Sequence, residues 1–176
     1  RVPEPFGYFH GVLVMELVTG ADSGSAPNLG EVELSAEQAR DFHRFLIGQI
    51  VRMLCAGIVH GDLSEFNILL AADGPVIIDL PQAVDAAGNN HAARMLLRDV
   101  DNLRDFFGRF APELLTAEYG LEIWSLYAGG LLTNSSVLTG RYERDNRPAD
   151  LDSVMREIDD ARAEEAARRL RMATAA

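Results

Sequence analysis

Three residues in this chain could together handle a phosphoryl group. Asp62 and Asn67 stand five positions apart in the run His60-Gly61-Asp62-Leu63-Ser64-Glu65-Phe66-Asn67. Asp79 follows twelve residues after Asn67, at the end of the apolar triplet Val76-Ile77-Ile78. Two carboxylates and a carboxamide offer only oxygen donors, which hard Mg²⁺ prefers while it keeps waters and bridges to phosphate oxygens. Phosphoryl transfer needs metal ligands to neutralise charge and a carboxylate to take the proton of the attacking hydroxyl. Asp62 is the candidate base, worth ~10²–10⁴ in rate for a group of that kind. Asn67 and Asp79 are the candidate metal ligands. Singly, each is an ordinary turn residue; the reading rests on their spacing between apolar, strand-like runs.

Those runs predict how the three residues meet. Ile58–His60 and Asn67–Leu70 read as short strands, Asp73-Gly74 as a hairpin turn, and Val76–Ile78 as a third strand. A tight turn brings the outer ends of its two strands together, so the loop of Asp62 and the loop opening at Asp79 should adjoin. Upstream, segment 2–10 contains two prolines and a glycine and reads as extended or turning. Val12–Val18 reads as a buried strand and Gly20–Gly30 as a loop. Ser35 with Gln38 forms a capping box for a helix with Phe42, Phe45, Leu46, Ile50, Met53 and Leu54 on one face, ended by Gly57. After an irregular stretch at 80–91, helices are predicted over about 92–109, 117–131 and 150–172. Trp124, Tyr127 and Leu131 fall in the core, and Leu151, Met155, Ile158 and Ala161 form a narrow stripe on the last helix. The whole is a mostly helical domain around one small β-hairpin.

Composition narrows the function classes. No apolar run approaches the ~18 residues that span a bilayer. A net charge of −11 removes the attraction on which non-specific nucleic-acid binding depends. The lone Cys55 excludes an intramolecular disulfide, fits a reducing cytoplasm and, within an apolar helical stretch, reads as a buried structural thiol. One Cys and four scattered His give no zinc-ligand spacing. Every basic residue is Arg, with no lysine anywhere, and Arg141, Arg144 and Arg147 form a small basic loop diluted by Glu143 and Asp145. The chain opens on Arg1 in a Pro-rich stretch, which reads as a piece of a longer polypeptide.

The wording of the motifs adds a resemblance. His60-Gly61-Asp62-Leu63-Ser64-Glu65-Phe66-Asn67-Ile68-Leu69, followed by Ile77-Ile78-Asp79-Leu80-Pro81-Gln82-Ala83-Val84, resembles the catalytic and magnesium loops of protein-kinase-like enzymes, and among them the RIO family of atypical kinases. Arg98-Asp99-Val100-Asp101-Asn102-Leu103 with Phe106-Phe107 is similar to the helix that follows in that family, and 119–140 resembles its bacterial branch. The resemblance implies an α+β, protein-kinase-like fold: a mainly helical C-terminal lobe with a small catalytic β-hairpin, most of the N-terminal lobe missing. Residues 1–20 would be the end of that lobe and the hinge, and 21–176 the C-lobe with its terminal helix.

ATP and Mg²⁺ are the implied cofactors, and the implied activity is that of a serine protein kinase or ATPase. Asp62 is the implied base, Ser64 faces the substrate, and Asn67 and Asp79 hold the metal, with Asp79 also able to accept a phosphoryl group. Met15-Glu16-Leu17-Val18 is similar to a kinase hinge. It would place Met15 beside the adenine, the Glu16 carbonyl and Val18 N–H on its edge, and Leu69 beneath it. Asp22 is placed either to reach the ribose or to serve its own loop. His60 would pack under the catalytic loop, and Asp99 or Asp101 would hold its backbone. The implied partners are ATP and a hydroxyl-bearing or protein substrate in the cytoplasm, with no direct nucleic acid and no membrane.

Departures matter as well. Gly61 and Ser64 stand where ordinary protein kinases carry Arg and Lys; the RIO pattern expects both changes. Ala111-Pro112-Glu113 spells the motif that closes an activation segment, but the helical pattern over 92–109 leaves no such segment. A glycine-rich loop and a phosphate-holding lysine are absent from the chain, so an N-lobe is expected upstream of Arg1, and the isolated chain should turn over little ATP. Two other readings share parts of the pattern. One is a small-molecule phosphotransferase of the aminoglycoside or choline kinase kind, which has His or Pro-Gly where Ser64-Glu65-Phe66 stands. The other is a non-catalytic kinase-like binding module.

Overall fold

A computed structural model describes residues 1–142; the helix expected over 150–172, Arg144 and Arg147 lie outside the described residues. The first helix, α1, runs from Ala36 to Cys55 and starts where the capping box places it. The Gln38 N–H donates to the Ser35 hydroxyl at 3.1 Å, and the Gln38 side chain accepts from the Ser35 N–H at 3.0 Å. Its end is set by Gly57, which takes φ +79° just past the last turn. Leu46, Ile50 and Leu54 are buried at helical spacing, joined by Ala39, Ile47 and Val51. Phe45, expected on that face, is 40% exposed because it sits at the margin of the stripe. Cys55 is exposed, against the expectation of a buried thiol, since one step past Leu54 turns it out of the apolar face.

Two further helices close the core. Helix α2, Ala92–Phe107, buries Leu96, Val100, Leu103 and Phe107, and α3, Tyr119–Ala128, contributes Ile123. A 3-10 segment at Pro112–Thr116 connects them, and its Glu113 pairs with Arg40 of α1 at 2.5 Å. The Ala111-Pro112-Glu113 motif is thus a surface tie between elements. Trp124 and Tyr127 pack against the core, but Leu131, expected there, is 69% exposed because α3 stops at Ala128 and Gly130 turns the chain at φ +67°.

The strands form three antiparallel pairs. Strands β1 (Pro5–Phe9) and β2 (Val12–Met15) make a hairpin whose turn residues His10 and Gly11 have φ +49° and +85°. The sequence reading missed this hairpin, and it expected β2 to be buried. Instead Phe6, Tyr8, Phe9 and Leu13 are each more than half exposed. A two-stranded ribbon has two faces, and here both remain accessible. Strand β3 (Ile58–Val59) pairs with β6 (Val84–Asp85), inside the stretch expected to be irregular. Strands β4 (Ile68–Ala71) and β5 (Gly74–Ile77) form the expected hairpin, with Gly74 at φ +122° after the Ala72-Asp73 turn.

Period-two alternation gives the β4–β5 hairpin two different faces. The cross-strand pair Ile68 and Ile77 joins the helical core. The next pair, Leu69 and Val76, faces the opposite way and joins Val18, Ala26 and Ala71 in a second, smaller cluster. Among the described residues no helix is long and apolar enough to cross a membrane.

One buried polar group stands out in the helical core. His43 of α1 is 2% exposed, set edge-on to Phe107 at 5.7 Å between ring centroids and tilted to Tyr119 at 5.6 Å. Its Nε2 has no hydrogen-bond partner among the described residues. Burial pulls its pKa from 6.5 down to about 4. Between those values the unfolded chain binds a proton that the folded chain refuses, so the stability present above pH 6.5 is lost as pH falls. His43→Phe should therefore gain on the wild type as the solution is acidified from neutrality to pH 4, by about 3 kcal/mol in total. Urea unfolding of both proteins across that range reads the gap directly; a gap that does not change with pH contradicts the assignment.

Candidate active site

The loop that carries Asp62 is held by α2. The loop runs between β3 and β4, and Asp62 lies between Gly61 and Leu63, both buried. One carboxylate, Asp99, accepts from the Gly61 N–H at 2.8 Å and from the Leu63 N–H at 2.9 Å. The Arg98 guanidinium donates to the Gly61 carbonyl, and the Asn102 amide donates to the Leu63 carbonyl at 3.0 Å. Three α2 side chains thus satisfy all four backbone polar groups of the residues flanking Asp62. Burial pushes the Asp99 carboxyl up to about 6, against the pull of its two N–H bonds, His60 and Arg98. The expectation that Asp99 or Asp101 holds the loop resolves to Asp99; Asp101 pairs with Arg104 at 2.8 Å. Arg98 and Asn102 were not anticipated in this role. The one available signal was their i, i+4 spacing around Asp99 on a helix otherwise rich in core residues.

His60 links this loop to the next one. It is 1% exposed, and its Nε2 lies 3.1 Å from the Ile78 carbonyl. A carbonyl only accepts, so Nε2 carries the proton, and Nδ1 is left to accept the Asp62 N–H at 3.4 Å. The Ile78 N–H in turn donates to the Asn67 carbonyl at 3.0 Å. Both polar groups of Ile78 are therefore fixed, and Asp79 follows in the left-handed region at φ +66°. Asp and Asn tolerate that conformation better than other residues with a side chain.

The structure brings Asp62, Asn67 and the stem of Asp79 together, as the spacing predicted. The Asn67 Nδ2 donates to the Asp62 carbonyl at 2.8 Å, which leaves the amide oxygen free. The Asp79 carboxylate is exposed and makes no hydrogen bond or ion pair among the described residues. Asp62 is half-buried; the Gln82 Nε2 at 3.5 Å from its Oδ2 is at the outer limit of a hydrogen bond. No three His, Cys, Asp or Glu side chains gather as a metal cluster among the described residues. One free carboxylate and one free amide oxygen make the small donor set with which Mg²⁺ completes its shell from phosphates and water, so the residues fit that ion. Ser64 is half-buried, and its hydroxyl has no partner among the described residues.

Of the residues expected around an adenine, Val18 and Leu69 lie on the other face of the β4–β5 hairpin. Leu69 packs with buried Val18. The Val18 carbonyl accepts from the Ala26 N–H at 2.9 Å, whereas its own N–H has no partner among the described residues. The Glu16 carbonyl also has no partner among the described residues, while its side chain binds the Arg1 guanidinium at 2.5 Å and the Glu4 N–H at 3.1 Å. Met15 is about half exposed on β2. Asp22 accepts the Gly24 N–H at 3.0 Å within its own loop. A separate cleft of about 510 Å³ along α1, lined by Arg44, Gly48, Arg52 and Tyr119 among others, contains none of these groups.

The chain is similar to known proteins over most of its described length. A family model described as the RIO domain matches residues 1–119. Serine/threonine-protein kinase RIO1 of Homo sapiens is 40% identical over 115 residues, 65% of this chain and 20% of that protein. The RIO-type serine/threonine-protein kinase Rio1 of Haloferax volcanii is 40% identical over 109 residues, 62% of this chain and 36% of its own length. That of Thermoplasma acidophilum is 39% identical over 111 residues, 63% of this chain and 56% of its own. The chain thus spans from about a fifth to a little over half of these relatives.

Two substitutions test the loop's support. Asp99→Asn keeps one acceptor but turns an NH₂ toward a backbone N–H, which should cost about 2–3 kcal/mol of stability. Amide hydrogen exchange at Gly61 and Leu63 should rise; unchanged protection there contradicts the clamp. Gly61 has φ +83°, and a Cβ there would collide with the Met95 methyl and press on the Gln82 carbonyl oxygen 3.0 Å away. Gly61→Ala should lower the unfolding midpoint by more than an Ala substitution at Gly48, where a Cβ meets nothing within 4 Å.

Proposed function

The chain belongs to the RIO domain family, and from that membership we propose that it carries the phosphoryl-transfer site of an ATP- and Mg²⁺-dependent serine/threonine kinase or ATPase. The observation that carries the proposal is the fixed backbone on both sides of Asp62, set beside the free oxygens of Asn67 and Asp79. A base held by its neighbours' peptide groups spends no ordering entropy when substrate arrives. Asp62 takes the proton of the acceptor hydroxyl on its carboxylate, and Ser64 lies alongside to contact the acceptor. Asn67 and Asp79 would hold Mg²⁺, which when bound would neutralise phosphate charge. The names of the relatives, all serine/threonine kinases, support a protein acceptor over a small alcohol.

Met15, Glu16, Val18 and Leu69 take the adenine in this reading. Support comes from the free Glu16 carbonyl and Val18 N–H, which offer one acceptor and one donor at the edge of an apolar cluster. Residues 1–20 then serve as the end of an N-lobe and the hinge, and 21–176 as the C-lobe. The acidic balance favours partners other than nucleic acid, and the cytoplasm is the compartment where ATP and a lone thiol fit together.

Calorimetric titration with ATP, with and without Mg²⁺, tests the reading. Asp79→Asn should abolish the Mg²⁺-dependent part of binding. Asp62→Asn should retain binding while transfer by the full-length protein falls by ~10²–10⁴. Binding by the wild type that is indifferent to Mg²⁺, or transfer that survives Asp62→Asn, would sink the proposal.

A further inference from the structure

We infer that Gln82 is the positioning residue of the base: its side-chain amide donates to one oxygen of the Asp62 carboxylate, so that the other oxygen faces the acceptor hydroxyl. The inference rests on the phosphotransferase reading above and adds to it a residue that acts only through Asp62.

The peptide groups around Asp62 are fixed, but a fixed backbone leaves the side chain free to turn about its own bonds. A general base must hold an oxygen within about 3 Å of the proton it takes, so something has to stop that rotation. Among the described residues only Gln82 reaches the carboxylate: its Nε2 stands 3.5 Å from Oδ2, while Oδ1 has no partner. The Arg98 guanidinium, the cation that α2 sends to this loop, is spent on the Gly61 carbonyl. An amide suits the task better than a cation, since it orients the carboxylate without pairing with the charge that draws the proton. The main chain delivers that amide to a fixed place. Residues 80–83 form a turn closed by the Ala83 N–H on the Leu80 carbonyl at 3.0 Å, with Pro81 at its second position, where its ring presets the backbone. Each end of the turn is tied to the segment that leads into Asp62. Before it, the Ile78 carbonyl meets His60 at 3.1 Å; after it, β6 pairs with β3, Val84 opposite Val59. The Gln82 carbonyl oxygen would lie 3.0 Å from a Cβ at Gly61, so glycine there lets the turn rest directly against the loop. The Gln82 side chain is exposed, which leaves it free to shorten its contact when substrate arrives, as hydrogen bonds in active sites commonly do.

The test is steady-state hydrolysis of Mg²⁺-ATP by the full-length protein, read as ADP release. Water is the acceptor in that reaction, so a residue that only gripped a protein substrate would have no effect on it. Gln82→Ala should lower kcat by about tenfold, the equivalent of about 1.4 kcal/mol, with the KM for ATP and the unfolding midpoint unchanged. Gln82→Glu, equal in length but without a donor N–H, should lose at least as much kcat as Gln82→Ala. A merely structural role would move the midpoint and leave kcat alone, and glutamate would fill it. Wild-type kcat in either variant, or a loss that appears in the KM for ATP instead, overturns the inference; the parent reading stands so long as Asp62→Asn is inactive. A wild type that releases no ADP, or turnover that survives Asp62→Asn, overturns both.

Discussion

The site depends on a single buried carboxylate. Asp99 is 1% exposed, and a charge in such a place is costly unless its lone pairs are used. Here they are used by the two N–H groups on either side of Asp62. Because Asp99 sits among Leu96, Val100 and Leu103, its position is that of α2 itself, locked in the helical core. The loop that carries Asp62 therefore takes its geometry from helix packing and not from its own sequence. Arg98 and Asn102 complete the arrangement from the neighbouring turn, so the loop has little independent freedom.

The β4–β5 hairpin divides the molecule in a second way. Its Ile68–Ile77 pair anchors it to the helices, while its Leu69–Val76 pair carries the small cluster around Val18. The same two strands deliver Asn67 at one end and Asp79 at the other, and the His60–Ile78 hydrogen bond ties the second end back to the first loop. The groups proposed to face the nucleotide and those proposed to hold the metal are thus opposite outputs of one element. A one-residue slip in its register would exchange the two faces and lose both.

The parts legible in the sequence were those with local causes. The capping box at Ser35, the glycine stop at Gly57, the β4–β5 hairpin and the Asp62–Asn67–Asp79 grouping each follow from residues close in the chain or from a strong period. The β1–β2 hairpin was hidden because Pro3 and Pro5 read as breakers, although an edge strand tolerates proline at its start. The β3–β6 pair is two residues long and has no pattern to detect. The clamp by Arg98 and Asn102 joins residues nearly forty positions apart, and nothing local in either segment specifies it. Cys55 was misplaced by one step around α1, and Leu131 because it lies three residues past the end of α3.

The left-handed backbone at Asp79 has a consequence for how such a domain can change over time. Few side chains sit comfortably at φ +66°, and among glycine, asparagine and aspartate only the last carries a charge. Exchange within that trio removes the anion while preserving the corner. Fold and chemistry are therefore separable here at one position. On the proposed reading of Asp79, a lineage could lose Mg²⁺ binding at this one position and keep the scaffold intact.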